Sequence, residues 1–171
     1  MDMKFILTAK HWQLFLILLF GMFLNNFTVE GAPLVNTMLT VLGFLIIYTW
    51  PLVLGIELHR YLPERIEISS TLFLINGMIS LCAYCIIIII SDGQGMTFTG
   101  WSALPAFYGF YAFLHLLAFP AKVLKSIEHG KKASFPDYLG YFIMILFWPI
   151  GIWFIQPRIN KTVIEHTLAD E

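Results

Sequence analysis

The sequence predicts an all-α, polytopic membrane protein: a five-helix transmembrane bundle forming a single domain over residues 1–171. Three observations carry that reading. Of the 171 residues, 58% are hydrophobic and 12% are charged, and mean hydropathy is +0.78. An average soluble domain has about 25% charged residues, so this chain lacks the ionic groups to cover a soluble surface. Apolar runs near the ~20 residues needed to cross ~30 Å of hydrocarbon recur along the chain. Those runs are rich in Leu, Ile and Phe without strand-like alternation, which favours helices over a barrel.

The first expected span is 12–28. Its unbroken apolar part ends at Asn25 and Asn26. Lys4 and Lys10 precede it, as in a secretory signal, and Gly31-Ala32 follows. Cleavage there would put Glu30 at −3 and Pro33 at +1, a poor processing pattern, so a retained anchor helix is expected. The second span is 34–56, and Pro63 breaks the helix that leaves it. The third is 70–90, closed by the turn sequence Asp92-Gly93-Gln94-Gly95. The fourth, 103–123, extends as a helix towards Gly130, which caps it. Ser134-Phe135-Pro136-Asp137 reads as a capping box opening the fifth span, 138–155. Trp148-Pro149 offers an alternative for that span, a break into a re-entrant hairpin. Trp12, Trp101 and Tyr138 fall near span ends, as interfacial aromatics do.

Basic residues orient the spans. Lys4 and Lys10 precede the first, Arg60 and Arg65 follow the second, and Lys122, Lys125, Lys131 and Lys132 separate the fourth from the fifth. The connections 25–33 and 91–102 contain no Lys or Arg. The positive-inside rule therefore predicts a cytoplasmic N-terminus and, with five crossings, an external C-terminus. Arg158 and Lys161 in the tail dissent, and the re-entrant alternative would bring them inside. Net charge is −1 and pI about 6.5, so no field favours nucleic acid.

Three segments carry a family resemblance. They are Ala121-Lys-Val-Leu-Lys-Ser-Ile-Glu128, Phe135-Pro-Asp-Tyr138 and the ending Pro149-Ile-Gly-Ile-Trp-Phe-Ile-Gln-Pro-Arg-Ile-Asn160. With the exit of the second span, 48–63, they resemble a family of small multi-spanning bacterial membrane proteins. The resemblance covers about a third of the chain. It implies a bacterial cytoplasmic membrane and a shared architecture, and brings no activity and no catalytic residue.

Intramembrane chemistry is sparse. Ion-coupled transporters keep ionisable groups within their spans, whereas Glu57, Asp92 and Lys122 all fall at span ends. His115 is the one ionisable side chain expected near mid-depth. At helical spacing it shares a face with Tyr108, Tyr111 and Lys122, a polar seam for a headgroup or solute or else a histidine bonded to a neighbouring helix. Small or weakly polar stripes read as helix packing: Asn76, Ser80 and Ala83; Asn36, Thr40 and Gly43; Ser102, Ala106 and Gly109. The last should meet another helix closely. Cys82 and Cys85 have redox-motif spacing inside an apolar run and read as packing residues. His11 and His59 are the one pair placed for haem ligation, yet no cofactor or metal is expected. Glu57, His59, Arg60, Glu64, Arg65 and Glu67 read as a salt-bridged, solvated face. Lys125, Lys131, Lys132 and Arg60 are candidate lipid-headgroup contacts. The sequons Asn26-Phe-Thr28 and Asn160-Lys-Thr162 read as accidental.

No nucleophile–base pair, phosphate loop or metal cluster is legible. The expected function is thus non-enzymatic: an accessory subunit or scaffold binding membrane lipids, a partner's spans or a second copy. Two other classes stay open. One is a small transporter or channel for an uncharged or lipid-like solute, and the other is a headgroup-acting enzyme using Glu57, His59 and Arg60.

Overall fold

The computed structural model describes residues 5–91 and 96–169; Lys4 and the expected turn at 92–95 lie outside them. All secondary structure among the described residues is helical. In chain order the helices are α1 (Phe5–Thr8), α2 (His11–Asn26), α3 (Pro33–His59), α4 (Thr71–Ile90), α5 (Ala103–His129), α6 (Phe135–Leu146) and α7 (Trp148–Ala169), with a 3-10 turn at Gly100–Ser102 leading into α5. Pro33–His59, Thr71–Ile90 and the stretch Gly100–His129 are long and apolar enough to cross a membrane, and Phe135–Leu146 is a shorter apolar helix. The described residues thus form an all-helical structure whose long apolar helices fit a membrane-embedded bundle. The 16 residues of α2 reach only ~24 Å at 1.5 Å per residue, and α1 continues the N-terminal segment beyond it.

Local chemistry sets the helix ends where the sequence signals them. Pro33 opens α3, where a missing N–H costs nothing. Gly130 ends α5 with φ 62°, the left-handed conformation a C-terminal glycine supplies. Ser134 N donates to Asp137 Oδ2 at 2.8 Å and opens α6. The Ser134 hydroxyl, then its amide, hold the Asp137 carboxyl below the usual carboxylate range.

Helices α2 and α3 cross at two glycines. A Cβ on Gly43 would stand 2.4 Å from the Gly21 carbonyl oxygen and the Asn25 nitrogen. Such backbone-to-backbone approach is how helices gain van der Waals contact in lipid. Asn25 then ties the crossing to two further turns, its Nδ2 donating to the Thr40 carbonyl at 2.8 Å and to the Tyr84 hydroxyl at 3.0 Å. Deeper in the bundle, α3, α4 and α5 converge where the Phe73 and Phe119 rings stack at 4.2 Å over Gly55. Leu54, Leu58, Leu116 and Leu124 fill the surrounding core.

The expected crossing at 138–155 is corrected. The chain breaks at Phe147 (φ −98°, ψ 51°) into α6 and α7, and α7 folds back along α6 and α2. Pro149 brings no N–H and suits a helix start. The amides of Ile150 and Gly151 both donate to the Phe147 carbonyl, which satisfies the new helix end. Gly151 permits the fold-back, because a Cβ there would lie 1.8 Å from the Met144 oxygen. On the return path Trp153 packs on His11 and Phe15. The fully buried Gln156 donates to the carbonyls of Ile6 (2.9 Å) and Ala9 (3.2 Å), and Asn160 donates to Ala9. The tail therefore leaves from the end of the bundle that holds the N-terminal segment. An N-terminus and C-terminus at opposite ends does not fit this geometry.

Gly43→Ala is expected to destabilise the bundle by about 1–3 kcal/mol or more, since the clash is with backbone. Gly140→Ala, where no atom lies within 4 Å of the added Cβ, is expected to be neutral or stabilising by up to about 1 kcal/mol. Thermal unfolding midpoints of the two variants in one detergent check both.

Candidate functional site at the basic end of the bundle

At mid-depth α4 and α5 are joined by a polar cluster. Asn76 is fully buried. Its Oδ1 accepts from the Tyr108 hydroxyl at 3.0 Å, and its Nδ2 faces His115 Nδ1 at 3.2 Å. Because Nδ2 can only donate, Nδ1 is the acceptor in that arrangement. One turn of α4 further on, the Tyr48 hydroxyl of α3 pairs with Ser80 Oγ at 2.7 Å and also donates to the Gly77 carbonyl. Asn76 and Ser80 are thus polar links between helices. A Cβ placed on Gly109 would lie 3.6 Å from Ala83 Cβ, ordinary van der Waals contact.

The residues of the expected seam, Tyr108, Tyr111, His115 and Lys122, all lie on α5. The Tyr111 ring stacks near His115 at 6.1 Å, and Tyr108 and Tyr111 are 45% and 52% exposed. The small stripe is corrected as well. Ser102 is spent on the Thr99–Ser102 turn. Gly109 approaches Ala83 of α4, and both Gly109 and Ala106 border a cavity of about 550 Å³ with Phe44, Tyr84, Phe110 and Phe113. Cys82, expected to pack, is exposed, and Cys85 is partly so.

Charge collects at one end. Of ten Lys and Arg, Lys4 is outside the described residues. The other nine are Lys10, Arg60, Arg65, Lys122, Lys125, Lys131, Lys132, Arg158 and Lys161. All lie at the end where α1, the exits of α3 and α5 and the return of α7 meet. The opposite end, with the 25–33 connection, has none.

All but Lys10 fall into two groups. Arg60 pairs with Glu57 at 3.2 Å, Lys125 with Glu128 at 3.3 Å, and Lys161 with Glu165 at 3.6 Å. Arg158 Nη1 donates to the Tyr141 hydroxyl at 2.9 Å, which itself donates to Glu128 at 2.8 Å; Lys125 stands 4.9 Å above the Tyr141 ring. That network ties α5, α6 and α7 together. By contrast, no carboxylate among the described residues pairs with Arg65, Lys122, Lys131 or Lys132. Lys122 and Lys132 line one cavity of about 360 Å³ with His115, Ser69 and Tyr138. Arg65, Lys131 and Lys132 line another of about 360 Å³ with Glu67. The structure thus regroups the expected headgroup contacts. Lys125 and Arg60 are engaged in ion pairs, while Lys122, expected in the seam, faces the same cavity as Lys132.

The solvated face expected around Glu57 is corrected too. Glu57 is 1% exposed, and its Oε1 has no partner. Its burial follows from its place on α3, in line with the buried Trp50, Leu54 and Leu58. His59 Nε2 lies 2.6 Å from the Ile68 carbonyl. Glu57 and Arg60 form an ion pair at 3.2 Å, while His59 is held apart from them by the Ile68 carbonyl.

Gln156 escaped the sequence reading. Its amide holds carbonyls about 150 positions earlier, a contact that no local pattern signals. No family model matches this chain, and no curated protein or solved structure matches it.

Asn76→Leu strips partners from Tyr108 and His115 together and is expected to cost about 1–3 kcal/mol. Tyr108→Phe, which removes one bond and leaves the His115 contact, is expected to cost about 0.5–1.5 kcal/mol. Unfolding of both variants in lipid nanodiscs checks the order.

Proposed function

We propose that the chain is a non-enzymatic accessory protein of a bacterial cytoplasmic membrane that holds anionic lipid at the inner leaflet beside partner spans. One observation carries this: all nine described cations share one end of the bundle, and Arg65, Lys122, Lys131 and Lys132 cluster there without an ion pair to a described carboxylate. Positive-inside topology makes that end cytoplasmic, and clustered Lys and Arg attract anionic headgroups by about 1 kcal/mol each. The five apolar units of the sequence then become four crossings, α2 to α5, and a re-entrant hairpin, α6–α7. Both termini are inside. The likeness of segments 121–128, 135–138 and 149–160 to small bacterial membrane proteins supports the compartment.

A second reading rests on the cavity of about 550 Å³ between α3, α4 and α5, whose size suits a small ligand. It gives a path or pocket for an uncharged, lipid-like solute. Solute-dependent flux in liposomes, abolished by Gly109→Leu, would favour it.

Two results test the main reading. Single cysteines placed at 131 and 30 should be protected from and accessible to an external thiol reagent, respectively; the reverse pattern would refute the orientation. Protein purified in mild detergent should retain phosphatidylglycerol in excess over its share of the membrane, and retention should fall with salt as surface charges are screened. Retention equal to membrane composition would refute the lipid reading.

A further inference from the structure

We infer that Lys122 and Lys132, with the hydroxyls of Ser69 and Tyr138, form a discrete site for a phosphate anion, held as the headgroup of one inner-leaflet lipid. The inference deepens the lipid reading above and rests on it. Both ammonium groups face one cavity of about 360 Å³, near the lower limit of small-ligand sites. Neither has a carboxylate partner among the described residues. Two like charges on one wall repel, and an anion between them converts that repulsion into attraction. Lys and hydroxyl donors suit phosphate oxygens, which only accept.

The cavity has the polarity gradient of a lipid. Its charged and hydroxyl groups stand beside Leu72, Ala118 and Phe119, so a head can pair with the cations while a chain follows the apolar wall. Lys132 also lines the neighbouring hollow with Arg65 and Lys131, which adds donors for a second negative group. Glu67 is the acid in that hollow, and it does not line the Lys122 cavity.

The scaffold fixes the two lysines relative to each other. Ser126 Oγ donates to the Lys122 carbonyl at 2.7 Å and accepts the Ala133 amide at 3.0 Å. One hydroxyl thereby links the α5 turn bearing Lys122 to the loop bearing Lys132. Gly130 admits Arg65 to the same loop, since a Cβ there would stand 2.8 Å from its guanidinium.

The test uses the full chain in phosphatidylcholine nanodiscs titrated with phosphatidylglycerol and, in a parallel arm, with inorganic phosphate, read by native mass spectrometry. Lys122→Gln/Lys132→Gln should lose about 30-fold in phosphatidylglycerol affinity. Lys125→Gln/Lys161→Gln removes the same charge from paired lysines and should stay within about threefold of the parent. Lys122→Arg/Lys132→Arg should restore binding and shows that the Gln variant's loss is not misfolding. Binding of inorganic phosphate instead, with the same lysine dependence, would support the site and make its anion soluble. Equal loss in both Gln pairs, or no loss in the first, would overturn the site while leaving the lipid reading. No preference of the parent for phosphatidylglycerol over phosphatidylcholine would overturn that reading itself.

Discussion

The break at Phe147 is the constraint on which the arrangement depends. In hydrocarbon a helix can stop only if its freed backbone groups find partners. Here Pro149 has no amide to satisfy, and the Phe147 carbonyl takes the amides of Ile150 and Gly151. Gly151 removes the one side chain that would collide with Met144. With those conditions met, two helices too closely joined to cross separately fold into a hairpin. The return helix then needs a surface, and α1 and α2 supply it.

Closure of the bundle follows from that return. Gln156 and Asn160 reach the carbonyls of Ile6 and Ala9, which the short α1 leaves open at its end. A buried amide is stabilising only where its groups are bonded; the two N–H donors of Gln156 Nε2 have three oxygens within reach, and its Oε1 has no partner. The same return carries Arg158 to Tyr141 and Glu128, so the carboxylate that neutralises Lys125 also anchors α7. Glu128 is thus engaged by Lys125 and Tyr141, and no ion pair among the described residues reaches the neighbouring Lys122, Lys131 or Lys132.

Much of this was legible in the sequence because it is local. Apolar length, turn glycines, the Ser134–Asp137 box and the Gly130 cap each act within a few residues, and α3, α4 and α5 begin and end close to where those signals fall. The positions of His115, Tyr108 and Lys122 on one helix face are equally local. What they meet is not. Asn76 was visible as a packing residue, but its choice of His115 and Tyr108 depends on how α4 rotates against α5. The burial of Glu57 depends on α3 packing around it, and span-end position gave no sign of that. Ala106 and Gly109 signalled close approach, yet the neighbouring aromatic side chains hold a cavity open there. The Trp148-Pro149 break was readable only as an alternative, because Pro also occurs inside helices, as Pro51 and Pro120 do here.

The central claim is that α7 returns to the end that holds α1. Spin labels at positions 10 and 161, with a second pair at 30 and 161, test it by pulsed electron resonance in nanodiscs. The account predicts a short distance for the first pair and a separation on the order of the ~30 Å hydrocarbon thickness or more for the second. A long first distance and a short second one would mean that residues 138–155 cross the membrane in one piece, and would contradict the account.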